Sequence, residues 1–342
     1  MENKSNTPNT ENSNNTNFNE KKITARDKYN TVVENFIKKL ENNDIEPWTK
    51  SWNMITTLPR NFETKNQYQG MNILTLLDRG FKDSRFLTFN QVKRLGGKVK
   101  EGQKSTPIFF MKPVEKTIKN EQSGKEEIEK YFLMQSYNVF NIEQTEGIEY
   151  EKEIISSTNQ DVTIEEFIKN IAIQEFRGEP AYSPSNDCIF MPHSHEFENS
   201  NEFYSTYFHE LSHSTGHQTR LDRFEKYTVY GDERYAFEEL IAELGSAFLG
   251  MEFGLKPNSK KQASYLNSWI TALKEKPNIL YSAASSASKS TNYLMDLHNL
   301  KQQLKGQYNP QKLDINLNLN QNNNSKKVVS NTSAKNFSPK AS

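Results

Sequence analysis

The sequence predicts an α+β protein with a mixed α/β domain in front and a mostly helical domain behind it. Three observations predict this fold class. Apolar residues recur with helical spacing from Tyr29 to Leu40, and a helical pattern returns after residue 199. Between them, apolar strand-like segments lie within 107–142, on either side of a charged loop expected at 117–128. Charge separates the halves: from Lys21 to Pro113 there are 18 basic and 9 acidic residues, whereas acidic residues predominate after Glu143.

Composition limits the folded part of the chain. The mean hydropathy of -0.86 is low for a compact protein, and the 43 basic and 43 acidic side chains balance. We therefore expect disordered tails at 1–20 and 306–342, where apolar residues are too few to offset chain entropy. Between them we expect domains at 21–145 and 161–305, joined by a polar linker at 146–160.

The sequence predicts a cytoplasmic protein. It has no basic segment followed by an apolar run at its start and no stretch of about 18 apolar residues, so we expect neither secretion nor a membrane span. The single cysteine, Cys188, excludes an internal disulfide. Its apolar neighbours indicate a buried residue rather than a nucleophile.

The segment HELSH at 209–213 predicts a zinc site of the zincin type, with Zn²⁺ as cofactor. On a helix, residues four apart share a face, so His209 and His213 can direct their imidazoles at one ion. Zinc accepts neutral imidazole nitrogens and keeps a position open for water in catalytic sites. Glu210 adjoins the first histidine and can accept a proton from that water as general base.

Local signals favour a helix around this motif. Asn199, followed three residues later by Glu202, resembles a capping pair, and Gly216 can end the helix after His213. The alternative is a helix packed against the core with two solvated histidines, because HExxH also occurs by chance. A suitable third ligand favours the metal site.

The segment YAFEELIAELGSAFLG at 235–250 offers that third ligand. One face of this predicted helix is apolar, and another combines Glu239 and Glu243 with small residues that permit close approach to the histidine helix. We assign Glu239 to the metal and Glu243 to a hydrogen bond with a ligand histidine, a pairing that resembles that of gluzincins. Glu238 and Glu243 are the competing ligands, although we interpret Glu238 as a solvated acid at a helix start.

His217 has a less defined place. A metzincin site needs a histidine at position 219, where this chain has Thr219, and His217 lies two residues early. We interpret His217 as a group that supports a ligand or contacts substrate, with metal ligation as the alternative.

Basic and aromatic residues interleave in the front half, as in proteins that bind single-stranded DNA by neutralising phosphates and stacking bases. The candidate DNA-binding residues are Trp48, Trp52, Arg60, Asn61, Tyr68, Lys98, Lys100 and Lys104. The run RLGGKVKEGQKS at 94–105 is the best candidate for a phosphate clamp. For one lysine a solvated basic face is the alternative, and for one aromatic ring a place in the core.

Several blocks between residues 25 and 300 resemble ArdC-type antirestriction proteins of conjugative plasmids, whose front domain is shared with TraC-type primases. The blocks are LENNDIEPWTKSW, PRNFETKNQYQGMN, LTFNQVKRLGGKVKEGQKST, YNVFNIEQTEG, DCIFMP, HELSHSTGHQTRLDR and FEELIAELGSAFL. The resemblance implies a single-stranded DNA-binding domain joined to a zincin-like metallopeptidase domain that acts on a peptide or protein. It also implies that the protein protects incoming plasmid DNA from host restriction. One departure is Ser214, where the family usually has an aromatic residue that would form part of the pocket wall.

Two other functions fit the same residues. The chain could be a DNA-binding protein whose zinc site is structural or vestigial. It could also be a protease effector whose basic domain contacts something other than DNA.

Overall fold

The structure is a computed structural model that describes residues 23–42, 57–119, 126–152, 160–224, 233–255 and 266–307. The predicted tails, apart from residues 306 and 307, lie outside these ranges, as do residues 153–159 of the predicted linker. Trp48 and Trp52, predicted to bind DNA, also lie outside the described residues.

Helices and strands alternate in the front half, where β1 and β2 pair in parallel and the other strand pairs are antiparallel. The helices are α1 (Ala25–Glu41), α2 (Met71–Leu77) and α3 (Phe89–Arg94). The strands are β1 (Arg60–Asn61), β2 (Arg85–Thr88), β3 (Lys98–Val99), β4 (Thr106–Lys119), β5 (Glu126–Asn141) and β6 (Thr145–Glu146). One sheet has the order β1-β2-β5-β4, and β3 pairs with β6.

The amphipathic pattern that predicts the first helix is confirmed. Thr24 and Asp27 form a capping box that satisfies backbone donors at the start of α1. Tyr29, Val33 and Leu40 repeat at helical spacing and are buried, so the apolar stripe faces the core.

The β4–β5 hairpin corrects one expectation. A charged loop is expected at 117–128, but β4 continues to Lys119 and β5 begins at Glu126. β-branched residues in this segment favour strand, and opposite charges face each other across it, as where Lys130 lies 3.2 Å from Glu115. The hairpin is therefore a long two-stranded ribbon.

Helices dominate the back half. They are α4 (Gln160–Ile171), α5 (Ser200–Ser214), α6 (Glu233–Glu252), α7 (Leu266–Glu275) and α8 (Asn278–Gln307). A small sheet with the order β7-β9-β8 consists of β7 (Gln174–Arg177), β8 (Ala181–Ser183) and β9 (Cys188–Met191). Cys188 is buried, as predicted. The fold class, mixed α/β in front and helical behind, is confirmed.

One apolar core joins the two halves. The apolar stripe of α1 and residues of α2 pack in the same cluster as Leu240, Leu244 and Phe248 of α6 and Ala284 of α8. The hydroxyl of Tyr29 donates to the carbonyl of Pro277 at 3.0 Å across this contact. The metal-site helix α6 is thus buried against the front half.

No described helix is long and apolar enough to cross a bilayer.

Candidate metal centre

Helices α5 and α6 approach each other closely because small residues face each other between them. A methyl group at Gly245 would lie 2.5 Å from Ser212 Oγ, so the glycine leaves room that no other residue would. The hydroxyl of Ser246 donates to the carbonyl of Ser205 at 2.7 Å, and Ala242 is fully buried. This confirms the predicted small-residue face of α6 and places its carboxylates beside the histidine helix.

The helix boundaries of α5 are also as expected. The side chain of Asn199 accepts a hydrogen bond from the amide of Glu202 at 3.0 Å, and the helix ends at Ser214. His209 and His213 therefore lie one turn apart on the same face.

Two imidazole nitrogens and one carboxylate converge at this face. The Nε2 atoms of His209 and His213 are 3.1 Å apart. Glu239 Oε2 lies 3.5 Å from His209 Nε2, and Glu239 Oε1 lies 3.5 Å from His213 Nε2. Their ligand atoms lie within 4.8 Å of one another, which fits a divalent metal ion held by two nitrogens and one oxygen.

The Nδ1 atom of each imidazole contacts a further carboxylate, a different one for each ring. Glu243 Oε1 lies 3.3 Å from His209 Nδ1, and Glu238 Oε1 lies 3.2 Å from His213 Nδ1. Such contacts orient a metal-binding ring and keep Nε2 directed at the ion. The position of Glu243 is therefore compatible with the predicted hydrogen bond to a ligand histidine, His209.

The interpretation of Glu238 as a solvated acid is wrong. Its side chain is 13% exposed and lies in the second turn of α6, between His213 and Arg223. Arg223 donates to both carboxylate oxygens, at 2.9 and 2.7 Å. The acid is therefore buried as part of an Arg–Glu–His chain, which offsets its desolvation.

Two arginines in the segment after α5 donate hydrogen bonds to carbonyl groups at the end of this helix. The sequence analysis predicted a role for neither arginine. Arg223 also donates to the carbonyl of Ser212 at 2.7 Å. Arg220 donates to the carbonyl of Ser214 at 2.6 Å and forms an ion pair with Asp187 before β9. Both arginines belong to the segment HQTRLDR at 217–223, which is part of a block that resembles ArdC-type proteins and could have indicated their importance.

Glu210 is buried beside the first histidine. Its side chain is 6% exposed, and within the described ranges no hydrogen bond to its carboxylate is found. The negative charge of Glu210 is one of the causes that raise the pKa of His209. The carboxylate is therefore close to the imidazole and available to a water molecule.

Electrostatics at the centre favour cation binding. Burial lowers the pKa of His213, but the hydrogen bonds that the imidazole donates to Glu238 and Glu239 outweigh burial and raise this pKa to about 9. Burial raises the pKa of Glu239, and its contacts with His209 and His213 more than reverse this, so the carboxyl stays ionised. In the protein without metal, protons on the two imidazoles offset part of the negative charge of the three carboxylates around them.

His217 and Ser214 both make contacts near the end of α5. His217 Nδ1 lies 2.8 Å from the hydroxyl of Thr219 and 3.9 Å from Asp187, so its ring contacts the loop after α5. A contact of His217 with substrate stays a prediction. Ser214 is fully buried and its hydroxyl donates to the carbonyl of Leu211, so it lies in the core and forms no part of a pocket wall.

Comparison with known proteins accounts for both halves. Residues 26–140 match the family model described as the N-terminal domain of anti-restriction factor ArdC, and residues 162–286 match a zincin-like metallopeptidase model. The metal-free crystal structure of the antirestriction ArdC protein from plasmid R388 is 29% identical, with a TM-score of 0.65. The match covers 79% of this chain and 97% of that one. Both halves of this chain therefore resemble ArdC-type antirestriction proteins.

Further relatives extend this comparison. The Mn(II)-bound structure of the R388 ArdC protein matches with a TM-score of 0.64. Two proteins named DNA primase TraC from Escherichia coli are each 32% identical over 78% and 77% of this chain. The chain spans only 20% and 26% of their lengths. A third relative, protein y4eC of Sinorhizobium fredii, is 27% identical, over 79% of this chain and 92% of that protein.

In this chain, two of the predicted DNA-binding residues, Asn61 and Tyr68, make contacts within the fold and also line a cleft at the surface of the front half. The ring of Tyr68 is 9% exposed and packs edge-on against Phe86. Its DNA-binding role stays a prediction. The side-chain oxygen Oδ1 of Asn61 accepts hydrogen bonds from the backbone N–H groups of Glu63 and Thr64 at 3.1 and 3.0 Å, which shapes the turn after β1. Arg60 is half-buried in β1.

The predicted phosphate clamp is exposed. Lys98, Lys100 and Lys104 all lie at the surface. Lys98 is 3.0 Å from Glu146, and Lys100 donates to the carbonyl of Glu143 at 2.7 Å. A methyl group at Gly97 would lie 2.5 Å from Ile148, so this glycine is explained by packing rather than by phosphate approach. The DNA role of the three lysines stays a prediction.

Proposed function

We propose that this chain is an antirestriction protein that binds single-stranded DNA with its front half and hydrolyses a peptide bond at a zinc ion in its back half. One observation carries the enzymatic part: His209, His213 and Glu239 converge, with Glu210 beside them. Three protein ligands are typical of catalytic zinc sites, whereas structural sites are closed by four.

The donor set favours zinc over manganese. Two imidazoles and one carboxylate suit zinc, and nitrogen ligands bind Zn²⁺ more tightly than Mn²⁺. The related ArdC structure is described as Mn(II)-bound, so the same kind of centre accepts both ions in our proposal.

The residues divide the chemistry as follows. His209, His213 and Glu239 would hold the zinc ion, which would lower the pKa of a bound water to about 7 and polarise the carbonyl of the scissile bond. Glu210 accepts the proton of the attacking water and returns it to the leaving amine. Glu243 and Glu238 hold the two imidazoles in register, and Arg223 keeps Glu238 ionised through its paired hydrogen bonds.

Two observations support the proposed DNA binding: the positive charge of the front half and its similarity to known proteins. The front half carries excess positive charge, and its exposed lysines lie on the segment of 94–105 that resembles the family. The matching family model is named after an anti-restriction factor, and the TraC relatives are named as DNA primases. Binding to single strands fits a protein that meets DNA during transfer.

Glu210→Gln tests the enzymatic part. We expect peptide hydrolysis, measured with a fluorogenic peptide library, to fall at least about 100-fold because the general base is lost. Metal content and affinity for single-stranded oligonucleotides should not change. Glu179→Gln, an exposed acid before β8, is the matched control and should behave as the unmodified protein.

The outcome separates two functions. If the unmodified protein hydrolyses nothing and Glu210→Gln still protects transferred DNA from restriction, the site is structural or vestigial and the peptidase proposal fails. If hydrolysis survives Glu210→Gln, the assigned general base is wrong.

A further inference from the structure

A cleft with a volume of about 690 Å³ opens between the front sheet, the segment 64–72 and α8. None of its lining residues is charged. Amides and aromatic rings supply much of the lining, among them Asn66, Gln67, Gln69, Phe110, Tyr137 and Tyr281. The volume lies within the range of about 300–1,000 Å³ that is usual for small-molecule sites.

Two aromatic rings of the ribbon form an exposed wall of this cleft. Phe110 is 44% exposed and Tyr137 is 52% exposed. Their ring centroids are 5.6 Å apart at 76°, an edge-to-face contact between neighbouring strands. The register pairs Phe110 with Gln135 and Ile108 with Tyr137, so both rings lie on one face of the ribbon. Large rings exposed in this way are available to a planar partner.

The opposite side of the cleft is held in place by the back half. The amide of Gly70 donates to Ser288 Oγ at 2.7 Å, and Asn292 donates to Gln69 Oε1 at 2.9 Å. Gln67 donates to Glu252 of α6 at 2.7 Å. Gly70 has φ +59 and approaches the backbone of Ser285, which a side chain would disturb. The cleft is therefore preformed.

Three exposed lysines lie close in sequence or register to residues that line the cleft. Lys112 follows Phe110 by two residues on the same face of β4. Lys65 adjoins Asn66 of the lining, and its ammonium donates to the carbonyl of Phe62 at 2.6 Å. Lys289 lies one helical turn from Ser285 on α8. The nearby acid, Glu252, is engaged by Gln67, and burial raises its pKa. The lysines outside the cleft are positively charged, whereas the rings and amides inside it are uncharged. This distribution of charge is complementary to a nucleotide, whose phosphates are charged and whose base is not.

We propose that this cleft takes an unstacked base of single-stranded nucleic acid. The base lies against Phe110 and Tyr137, amides such as Asn66 contact its edge, and Lys112, Lys65 and Lys289 face the flanking phosphates. The inference rests on the proposed single-strand binding and names where on the molecule that binding occurs. Duplex DNA does not fit, because its bases are stacked and paired.

Phe110→Ala and Tyr137→Ala test the inference in the full chain, with fluorescence anisotropy of a labelled single-stranded oligonucleotide. Each change should weaken binding between about 5-fold and about 150-fold, the range of one lost base stack. Tyr137→Phe keeps the ring and should bind as the unmodified protein. Lys112→Ala should lower the salt dependence of binding by about one counterion, whereas the ring changes should leave it unaltered.

The matched control is Phe132→Ala. Phe132 is 67% exposed on the same ribbon, but it pairs with Pro113 and so lies on the opposite face from Phe110. A second readout is an oligonucleotide that contains 2-aminopurine, whose fluorescence should be quenched by the unmodified protein and by Phe132→Ala, but not by Phe110→Ala. Circular dichroism checks that all variants are folded.

The failures are distinguishable. If the unmodified protein binds single strands and Phe110→Ala and Tyr137→Ala bind equally well, single-strand binding stands and this cleft is not its site. If the unmodified protein binds no single-stranded oligonucleotide, the proposed function and the inference both fall. Equal losses for Phe132→Ala and Phe110→Ala would also overturn the assignment to this face.

Discussion

Glu238 shows how one buried charge depends on two neighbours. It lies between the guanidinium of Arg223 and Nδ1 of His213, and the three groups form a hydrogen-bonded chain that ends at the metal-facing nitrogen. An acid held in this way raises the basicity of the imidazole and fixes the ring.

Glu238→Gln should weaken metal binding. We expect a loss of affinity of about 10–100-fold, because the amide keeps the shape but loses the charge that orients His213. Competition with a chromophoric chelator measures this, and Glu179→Gln at the surface is the control. If both variants keep the affinity of the unmodified protein, Glu238 does not position His213.

Metal binding should release protons near neutral pH. Hydrogen bonds to Glu238 and Glu239 outweigh burial and raise the pKa of His213 from 6.5 to about 9 in the metal-free protein, but a metal ion needs the neutral ring. Metal affinity therefore rises as pH increases from 7 to 9 and then levels. Calorimetry at pH 7.5, in buffers of different ionisation enthalpy, should show at least about one proton released per ion. No release would contradict the raised pKa.

The same pKa fixes the pH dependence of folding. The pKa of His213 in the folded protein lies above the ordinary value of 6.5. The contact of protonated His213 with Glu238 and Glu239 therefore contributes its full stability below pH 6.5 in the metal-free protein. That contribution is lost as pH rises through about 9.

At the scale of elements, the contact between α5 and α6 determines the site, because each helix carries part of the ligand set. Gly245 is the position where a side chain would separate them, since its nearest neighbour is the side chain of Ser212. Gly250, five residues later on α6, has no neighbour closer than 3.6 Å.

Gly245→Ala should destabilise the protein by about 1–3 kcal/mol, because the added methyl group overpacks the helix contact. It should also lower metal affinity by moving Glu239 away from the histidines. Gly250→Ala is the control, and it should be neutral or stabilise by up to about 1 kcal/mol through helix propensity. Urea unfolding of both variants measures the difference, and equal stabilities would contradict the close contact.

Much of this arrangement could be predicted from local patterns. The HELSH spacing on a capped helix, the apolar stripe of α6 and its small-residue face are all properties of short segments. The contacts of Glu238 with Arg223, and of Arg220 with Asp187, could not, because they depend on how the chain returns after α5. The burial of Tyr68 likewise depends on which face of the sheet is covered.

At the scale of the whole molecule, the front and back halves share a core. Val33 and Leu74 from the front pack in one cluster with Leu244 and Ala284 from the back. Sequence periodicity identifies each apolar face but not its partner, which is why the sequence predicts two separate domains. The boundaries at 21–145 and 161–305 stay a prediction, and the shared core argues against independent folding of either part.

Metal binding should therefore stabilise the front half as well. We expect zinc to slow amide hydrogen exchange in α1 peptides and in α5 peptides to a similar extent, because global unfolding exposes the common core. Mass spectrometry with and without zinc measures this. Protection confined to the back half would show that the halves unfold separately.

Elemental analysis of purified protein tests the central claim most directly. The account predicts about one zinc ion per chain in the unmodified protein and in Glu210→Gln, since Glu210 is not a ligand. His213→Ala and Glu239→Ala should each lose the metal while remaining folded by circular dichroism. Substoichiometric metal in the unmodified protein even after zinc is added, or full metal content in both ligand variants, would contradict a centre formed by His209, His213 and Glu239.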